Sequence, residues 1–338
     1  MTRLWTDGFE FRDLIGYCVA PAGVSIDTTI KRSGNASAKF FVSGPSDMGW
    51  FSFSTDSVSE FYLRFGMYVD SASSNWPRIE WLNGTTSLGY VDFVNCNQVS
   101  IYVGGVLKDT GVTSLFSDVW YLFEVHVKID GSVGEIDVRL DGVTTLEATF
   151  DGNTGTGTID TIKFSNQYSG LGDINTAYVD DLGFNDTAGG VDDSWCGEGK
   201  IIVMVPDDDS APLELTPSAA SDHHLLVDEV PTDGDTTYVE GSVVDEEDMY
   251  GLTASGLVDV DINRVWTEAR TRKTAAMDGQ VALITKAAGG AEVSGGDVEL
   301  LTTYSVKVLG AEELINPVDS NPWEVADIDL IEIGPRTR

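Results

Sequence analysis

The chain has 338 residues, with 20 Lys+Arg against 55 Asp+Glu and a formal net charge of −35. That field repels phosphate backbones and anionic lipid, which argues against a nucleic-acid partner and against membrane association. The hydrophobic fraction of 42% fits a folded domain, no apolar run approaches the roughly 20 residues of a spanning helix, and the first residues lack a basic-then-apolar export leader.

The first ~190 residues read as short strands separated by turn residues. Phe61–Val69, Val99–Val103, Trp120–Ile129 and Gly134–Leu140 alternate bulky apolar residues with others, the period of half-buried antiparallel strands. Asp130-Gly131 and Asp141-Gly142 supply turn signals. Many short strands at this spacing predict a two-sheet jelly-roll sandwich over residues 1–188. Residues 189–198 are small, polar and Gly-rich, as a linker is. A smaller β-rich domain is expected over 199–338, so the fold class is all-β. It opens with the apolar run Ile201–Val205, expected as a strand. Pro206–Pro217, with three prolines, is expected as a surface loop. Further strands are expected within Thr237–Val244, Val258–Arg272, Gln280–Lys286 and Thr302–Leu309. A short helix is expected from Pro322, with Asn321 as its cap, before a closing strand. The odd, sparse cysteines Cys18, Cys96 and Cys196 read as free thiols of a reducing compartment.

Two resemblances follow from particular residues. Trp120-Tyr-Leu-Phe-Glu-Val, Gly134-Glu-Ile-Asp-Val-Arg-Leu-Asp-Gly142 and Ala177-Tyr-Val-Asp-Asp-Leu-Gly-Phe184 resemble strands of laminin-G-like, concanavalin-like jelly rolls. Asp7-Gly-Phe-Glu10 resembles the opening strand that pairs with the closing one. Residues 199–335 resemble virion proteins of tailed bacteriophages. The carrying residues are His224-Leu-Leu-Val-Asp-Glu-Val-Pro231, Ala269-Arg-Thr-Arg-Lys273 and Asn316–Asp329, the last with Ser320 and Glu324 departing from the pattern. This second resemblance implies a non-enzymatic structural component on tail or capsid. It would be made in the bacterial cytoplasm and assembled with itself and other virion proteins as a homo-oligomer. The first adds a lectin-like domain facing host-surface glycans. The alternative is a carbohydrate-binding module with no virion role.

Candidate sites are few. Trp76, Trp81, Tyr90 and Asn95 cluster between Ser74 and Cys96 and could form the aromatic and polar lining of a sugar site; the bland alternative puts Trp81 in the core. No cofactor is called for, and Ca²⁺ is the one candidate cation. Asp180 and Asp181 are its chosen ligands, because lectin-like sandwiches hold Ca²⁺ near strand ends; Asp207–Asp209 and Asp245–Asp248 are alternatives. Asp259-x-Asp261-x-Asn263 imitates the start of a calcium loop but lacks its glycine and glutamate. Glu135 and Asp137 share a strand face, yet a third acid is replaced by Arg139 or Leu140, so no glycosidase is expected. His223 and His224 read as solvated loop residues, and no catalytic triad can be built from them and His126.

Overall fold

The computed structural model describes residues 3–11, 14, 23–42, 49–70, 77–93, 98–166, 175–188, 193–274, 279–288, 290, 292–308 and 315–338. The chain forms two compact units, Met1–Ile201 and Ile202–Arg338. Nearly all of its regular structure is antiparallel strand. Among the described residues no helix is long and apolar enough to cross a membrane.

In the first unit the strands are β1 (Arg3–Asp7), β2 (Val24–Asp27), β3 (Ser37–Val42), β4 (Gly49–Val58), β5 (Glu60–Val69), β6 (Arg78–Asn83) and β7 (Thr86–Asp92). They continue as β8 (Ser100–Val103), β9 (Val106–Thr110), β10 (Tyr121–Lys128), β11 (Gly134–Leu140), β12 (Ala148–Gly152), β13 (Ile159–Asn166) and β14 (Asn175–Asp186). One sheet has the order β12-β11-β10-β5-β14-β3-β2, with β1 also paired to β14; the other runs β4-β13-β6-β7-β8-β9. This is a two-sheet jelly-roll sandwich. Opening and closing strands pair, with Trp5 opposite Phe184 and Asp7 opposite Leu182, but the opening strand is Arg3–Asp7, and of the expected Asp7–Glu10 only Asp7 belongs to it.

Alternation turns one side of each strand inward, and those positions are filled with aromatic rings. Phe40 stacks on Phe51 at 5.2 Å, and Phe51 stacks on Phe164 at 5.0 Å. Phe164 meets Phe65 edge-on at 5.2 Å, and Phe65 stacks on Phe123 at 5.4 Å. All five are fully buried. The Asp130 turn closes as its sequence suggests, its carboxylate accepting the N–H groups of Ser132 and Val133 at 2.8 and 2.9 Å.

The linker expectation is corrected over its described part. Residues 193–201 belong to the first unit and lie as a strap over the outer face of β10, β5 and β14. The Gly197 N–H donates to Glu124 at 2.6 Å, Arg64 and Arg32 donate to the carbonyls of Gly197 and Gly199, and the Cys196 thiol faces the carbonyl of Gly183. The Trp195 ring sits 5.4 Å from Tyr62 and 5.9 Å from His126, with the Arg139 guanidinium 3.7 Å above it. β10, expected half-buried, is therefore buried from Tyr121 through Val127. A polar, Gly-rich segment can dock this way because its backbone supplies further donors and acceptors to Glu124, Arg64 and Arg32.

The second unit holds a six-stranded sheet. Pro206–Leu213, Asp248–Leu252, Glu332–Thr337, Gln280–Lys286 and Glu292–Ser294 lie in that order, and Val298–Glu299 also pairs with Gln280–Lys286. The proline-rich segment expected as a loop is thus a strand, while Ile201–Val205 is not. Pro206–Leu213 is at the sheet edge and its register shifts twice, which is where prolines that cannot donate to a ladder are tolerated. Of Val258–Arg272 only Glu268–Thr271 is a strand, and of Thr237–Val244 only Val239–Glu240. The helix is shorter and later than expected, Val325–Ile328. Trp323 is buried and bridges Ile262, so the chain stays extended through Pro322, and the Glu324 N–H instead donates to Asp327 at 3.0 Å.

The strap generates a prediction. Trp195→Ala removes two ring contacts, to Tyr62 and His126, and one cation–π contact from a half-buried site, and we expect a loss of about 2 kcal/mol. Urea unfolding followed by circular dichroism measures it; a change under about 0.5 kcal/mol would mean the strap contributes nothing to stability.

Candidate functional site

The outer face of the sheet β4-β13-β6-β7-β8-β9 carries the arrangement best suited to a ligand. Register places Lys163, Glu80, Tyr90 and Tyr102 side by side on adjacent strands β13, β6, β7 and β8. At about 4.8 Å between strands, this row spans roughly 14 Å, the scale of a short oligosaccharide. Tyr90 and Tyr102 stack at 4.6 Å with their planes 17° apart. The Arg78 guanidinium lies 3.9 Å over Tyr90 and is fixed by Asp92, whose Oδ2 accepts from Nε at 3.1 Å and Nη2 at 2.7 Å. Trp50, half-buried on β4, has the Lys163 ammonium 5.0 Å from its ring centre. Ser165 pairs with Trp50 on one side and Arg78 on the other. Its Oγ is buried and has no hydrogen-bond partner among the described residues. Burial and the neighbouring Asp92 and Tyr90 raise the Tyr102 phenol above its ordinary value, so the ring stays neutral and a hydrogen-bond donor.

Only Tyr90 of the four expected sugar-binding residues is found on this face. Trp76 and Asn95 lie outside the described residues. Trp81 is corrected: it points into the core, fully buried, 6.4 Å edge-on from Phe61. A Cβ on Gly89 would come within 2.7 Å of the Trp81 ring, so this tryptophan is clamped against the neighbouring strand and no sugar can reach it. Trp50, Arg78 and Tyr102 were missed because they are scattered over about 50 positions and meet only through register. The alternation in Val99–Val103 is the one local signal that could have pointed to Tyr102.

Asp180 and Asp181 are both fully buried. Successive residues of a strand should face opposite ways, but β14 carries a bulge here and Asp181 has φ 53°, so both carboxylates reach the turn at Arg32 and Ser33. Asp180 Oδ2 accepts the N–H groups of Arg32 and Ser33, at 2.8 and 3.1 Å, and its Oδ1 that of Asp181. Asp181 accepts from the Arg32 guanidinium at 2.6 Å, Ser33 Oγ at 2.5 Å and the Ile201 N–H at 2.7 Å. Beside them stands Glu10, whose Oε2 accepts the Asn35 N–H at 2.7 Å while its Oε1 is buried without a partner among the described residues. Gly34 makes room, since a Cβ there would lie 1.9 Å from Glu10 Oε1. Burial and the charge of Asp181 raise Asp180 above the carboxylate range. Burial, with smaller additions from Asp181 and Asp7, pushes Glu10 up to about 7 against two backbone hydrogen bonds that lower it.

On the opposite sheet from the aromatic row, Glu135 and Asp137 share a face as expected, but not alone. His126 lies directly across from Asp137, and Tyr62 across from His126 on the other side. One nitrogen of His126 and one oxygen each of Glu135 and Asp137 lie within 4.8 Å of one another. Burial disfavours a charged His126, yet the nearby carboxylates of Asp137 and Glu135 and the hydrogen bond with Glu60 outweigh it and its pKa rises. His223 and His224, expected to be solvated, are instead anchored by acids: Nδ1 of His223 lies 2.6 Å from Asp248, and that of His224 3.0 Å from Asp209. Asp209 also accepts the backbone N–H groups of both, and the buried Asp248 those of Glu214 and Leu215. Those two acids hold loops. The Cys196 thiol faces the carbonyls of Tyr62 and Gly183; Cys18 and Cys96 lie outside the described residues.

No family model and no curated protein matches the chain. Among solved structures, the cellulose-induced protein Cip1 aligns with 58% of this chain and 100% of its own, at 20% identity and a TM-score of 0.44. A GH131 β-glucanase catalytic domain from Podospora anserina aligns with 56% of this chain and 94% of its own, at 11% identity and 0.38. The winged bean acidic lectin, complexed with methyl-α-D-galactose, aligns with 54% and 98%, at 10% identity and 0.35.

The buried acids yield a pH prediction. Glu10 ionises near 4.5 when unfolded and near 7 in the fold, so the folded chain holds the extra proton between these values. Stability from this group is complete below about 4.5 and is lost as pH rises through 7. Glu10→Gln should therefore gain about 2 kcal/mol on the parent between pH 5 and pH 8, read from urea midpoints at the two pH values. Parallel pH curves for the two proteins would remove Glu10 from this role.

Proposed function

We propose that the first unit is a non-enzymatic glycan-binding sandwich, and that the row Trp50, Tyr90 and Tyr102, punctuated by the Arg78–Asp92 pair, Lys163 and Ser165, is its binding face. The carrying observation is the row of half-buried, neutral aromatic rings beside ion pairs already fixed by the protein. Sugar rings present C–H faces to such rings and hydroxyls to such ions. Arg78 and Asp92 neutralise each other, and Lys163 stands beside Glu80 in the register. The face therefore suits a neutral glycan better than a polyanionic one.

The setting of this module is part of the same proposal. The resemblance of residues 199–335 to tailed-phage virion proteins supports a structural component that carries the sandwich on a particle and assembles with itself and other virion proteins. Ca²⁺ at the expected pair Asp180 and Asp181 would have to replace partners that are already in place: three backbone N–H groups on Asp180, and Arg32, Ser33 and the Ile201 N–H on Asp181.

A glycan array followed by calorimetry tests the binding face. Tyr102→Ala and Trp50→Ala are each expected to weaken binding about tenfold, the loss of one stacking platform. An array on which the folded protein retains nothing would overturn the reading, as would affinity unchanged in both variants. For the particle setting, light scattering should report a discrete homo-oligomer, whereas a monomer that binds glycan would leave a free-standing module.

A further inference from the structure

The sheet face opposite the aromatic row holds an unexplained electrostatic arrangement. Glu60 on β5, His126 on β10 and Glu135 with Asp137 on β11 converge there, all within the first unit. Asp151 on β12 adds a further negative charge, directly across from Glu135. Among the described residues no lysine or arginine forms an ion pair with Glu60, Glu135 or Asp137. Lys128 stands across from both Glu60 and Glu135 in the register, but with Asp151 the four carboxylates outnumber it and a protonated imidazole, so the site is net negative.

The imidazole is held from behind. Its Nε2 is 2.9 Å from Glu60 Oε1, and its ring lies flat on Tyr62 at 4.3 Å, with planes 9° apart. Its Nδ1 points into the gap between the two β11 acids. It lies 3.8 Å from Asp137 Oδ2 and 3.9 Å from Glu135 Oε1, beyond hydrogen-bond reach. The His126 side chain is only 6% exposed, so water does not surround that nitrogen. The remaining oxygen of Asp137 is oriented by Thr149, whose hydroxyl donates to it at 2.6 Å. Glu135, with its side chain 40% exposed, closes the cluster on the solvent side and is free to move.

We propose that His126 Nδ1, Asp137 and Glu135 form a binding site for a divalent transition-metal ion of the Zn²⁺ class, with Glu60 and Thr149 as positioning residues. One nitrogen and two carboxylate oxygens suit such an ion, with a fourth position left for water on the exposed side. Ca²⁺ wants six to eight oxygens and would find too few. With bonds of about 2.1 Å, tetrahedral ligand atoms lie about 3.4 Å apart, so the observed 3.8 and 3.9 Å require a closure of about half an ångström. The exposed Glu135 can supply most of it. A carboxylate holding the distal nitrogen of a ligating imidazole is the usual outer support of a metal site: it fixes the tautomer and makes Nδ1 a better donor.

The test uses the full chain and Zn²⁺ alone. After dialysis against Zn²⁺ in a large excess of Ca²⁺, one tightly held equivalent is expected. The sequence has 3 histidines, so their ring proton signals can be assigned by substitution, and only those of His126 should shift at stoichiometric Zn²⁺. Glu135→Gln, on the solvent side and safe for folding, should weaken binding at least tenfold. His126→Gln should abolish it, His223→Gln should leave it unchanged, and Glu60→Gln should weaken it about 10- to 100-fold. Absence of a retained equivalent in the folded parent overturns the proposal. So does a retained equivalent that survives Glu135→Gln with the His126 signals unmoved.

Discussion

The sandwich depends on a seam of aromatic rings between its two sheets. Phe40, Phe51, Phe164, Phe65 and Phe123 touch in sequence at 5.0–5.4 Å, contributed by β3, β4, β13, β5 and β10 in turn. Each is a strand residue whose inward orientation follows from alternation. A one-residue slip in any of these strands would turn its ring outward and expose the polar face within. The seam therefore fixes register, and register fixes everything on the outer faces. Tyr90 lies beside Tyr102, and His126 beside both Asp137 and Tyr62, because the rings beneath them admit one alignment.

Two local departures from regular pairing give the sheet of β10, β5 and β14 its character. The bulge at Asp180–Asp181 turns two adjacent carboxylates toward one turn, where backbone N–H groups and Arg32 receive them. The strap over 193–201 then covers this face and satisfies Asp181, Arg32, Arg64 and Glu124 with main-chain groups. The charged residues alternating along β5, β10 and β11 are thus an inner layer in part, held between sheet and strap. That burial raises the pKa values of Glu10 and Asp180, while the surrounding carboxylates raise that of His126.

The two faces of the sandwich consequently differ in kind. One presents neutral rings and self-compensated ion pairs. The other concentrates uncompensated carboxylates around a single imidazole. A net charge of −35 is spread unevenly over the protein, and the places where acids lack basic partners are where a cation would lower the energy most. Elsewhere the acids serve as anchors, as Asp209 and Asp248 do for the backbone around His223 and His224.

Much of the sandwich could be read without coordinates. Period-2 runs placed β5, β8, β10 and β11 closely, because each buries one side and the chemistry of alternate residues records it. The resemblance of Asp7–Glu10 and Ala177–Phe184 to paired terminal strands agrees with β1 beside β14. The second unit was less legible. Pro206–Leu213 reads as a loop by composition, but an edge strand needs only half of its hydrogen-bonding groups, so prolines and aspartates survive there. The helix start was misplaced because burial of Trp323 overrode a local cap signal. The candidate binding face was mostly invisible. Only Tyr90 was named, and Trp81 carried the right residue type with the wrong orientation. The sequence by itself determined the strand periods, the all-β class and the acidic surface, since these follow from residue type and near neighbours. The tertiary structure alone decided which outward side chains meet, where the strap lies, and that His126 joins Glu135 and Asp137. Those depend on strand order and register, which are set by core contacts between residues far apart in the chain.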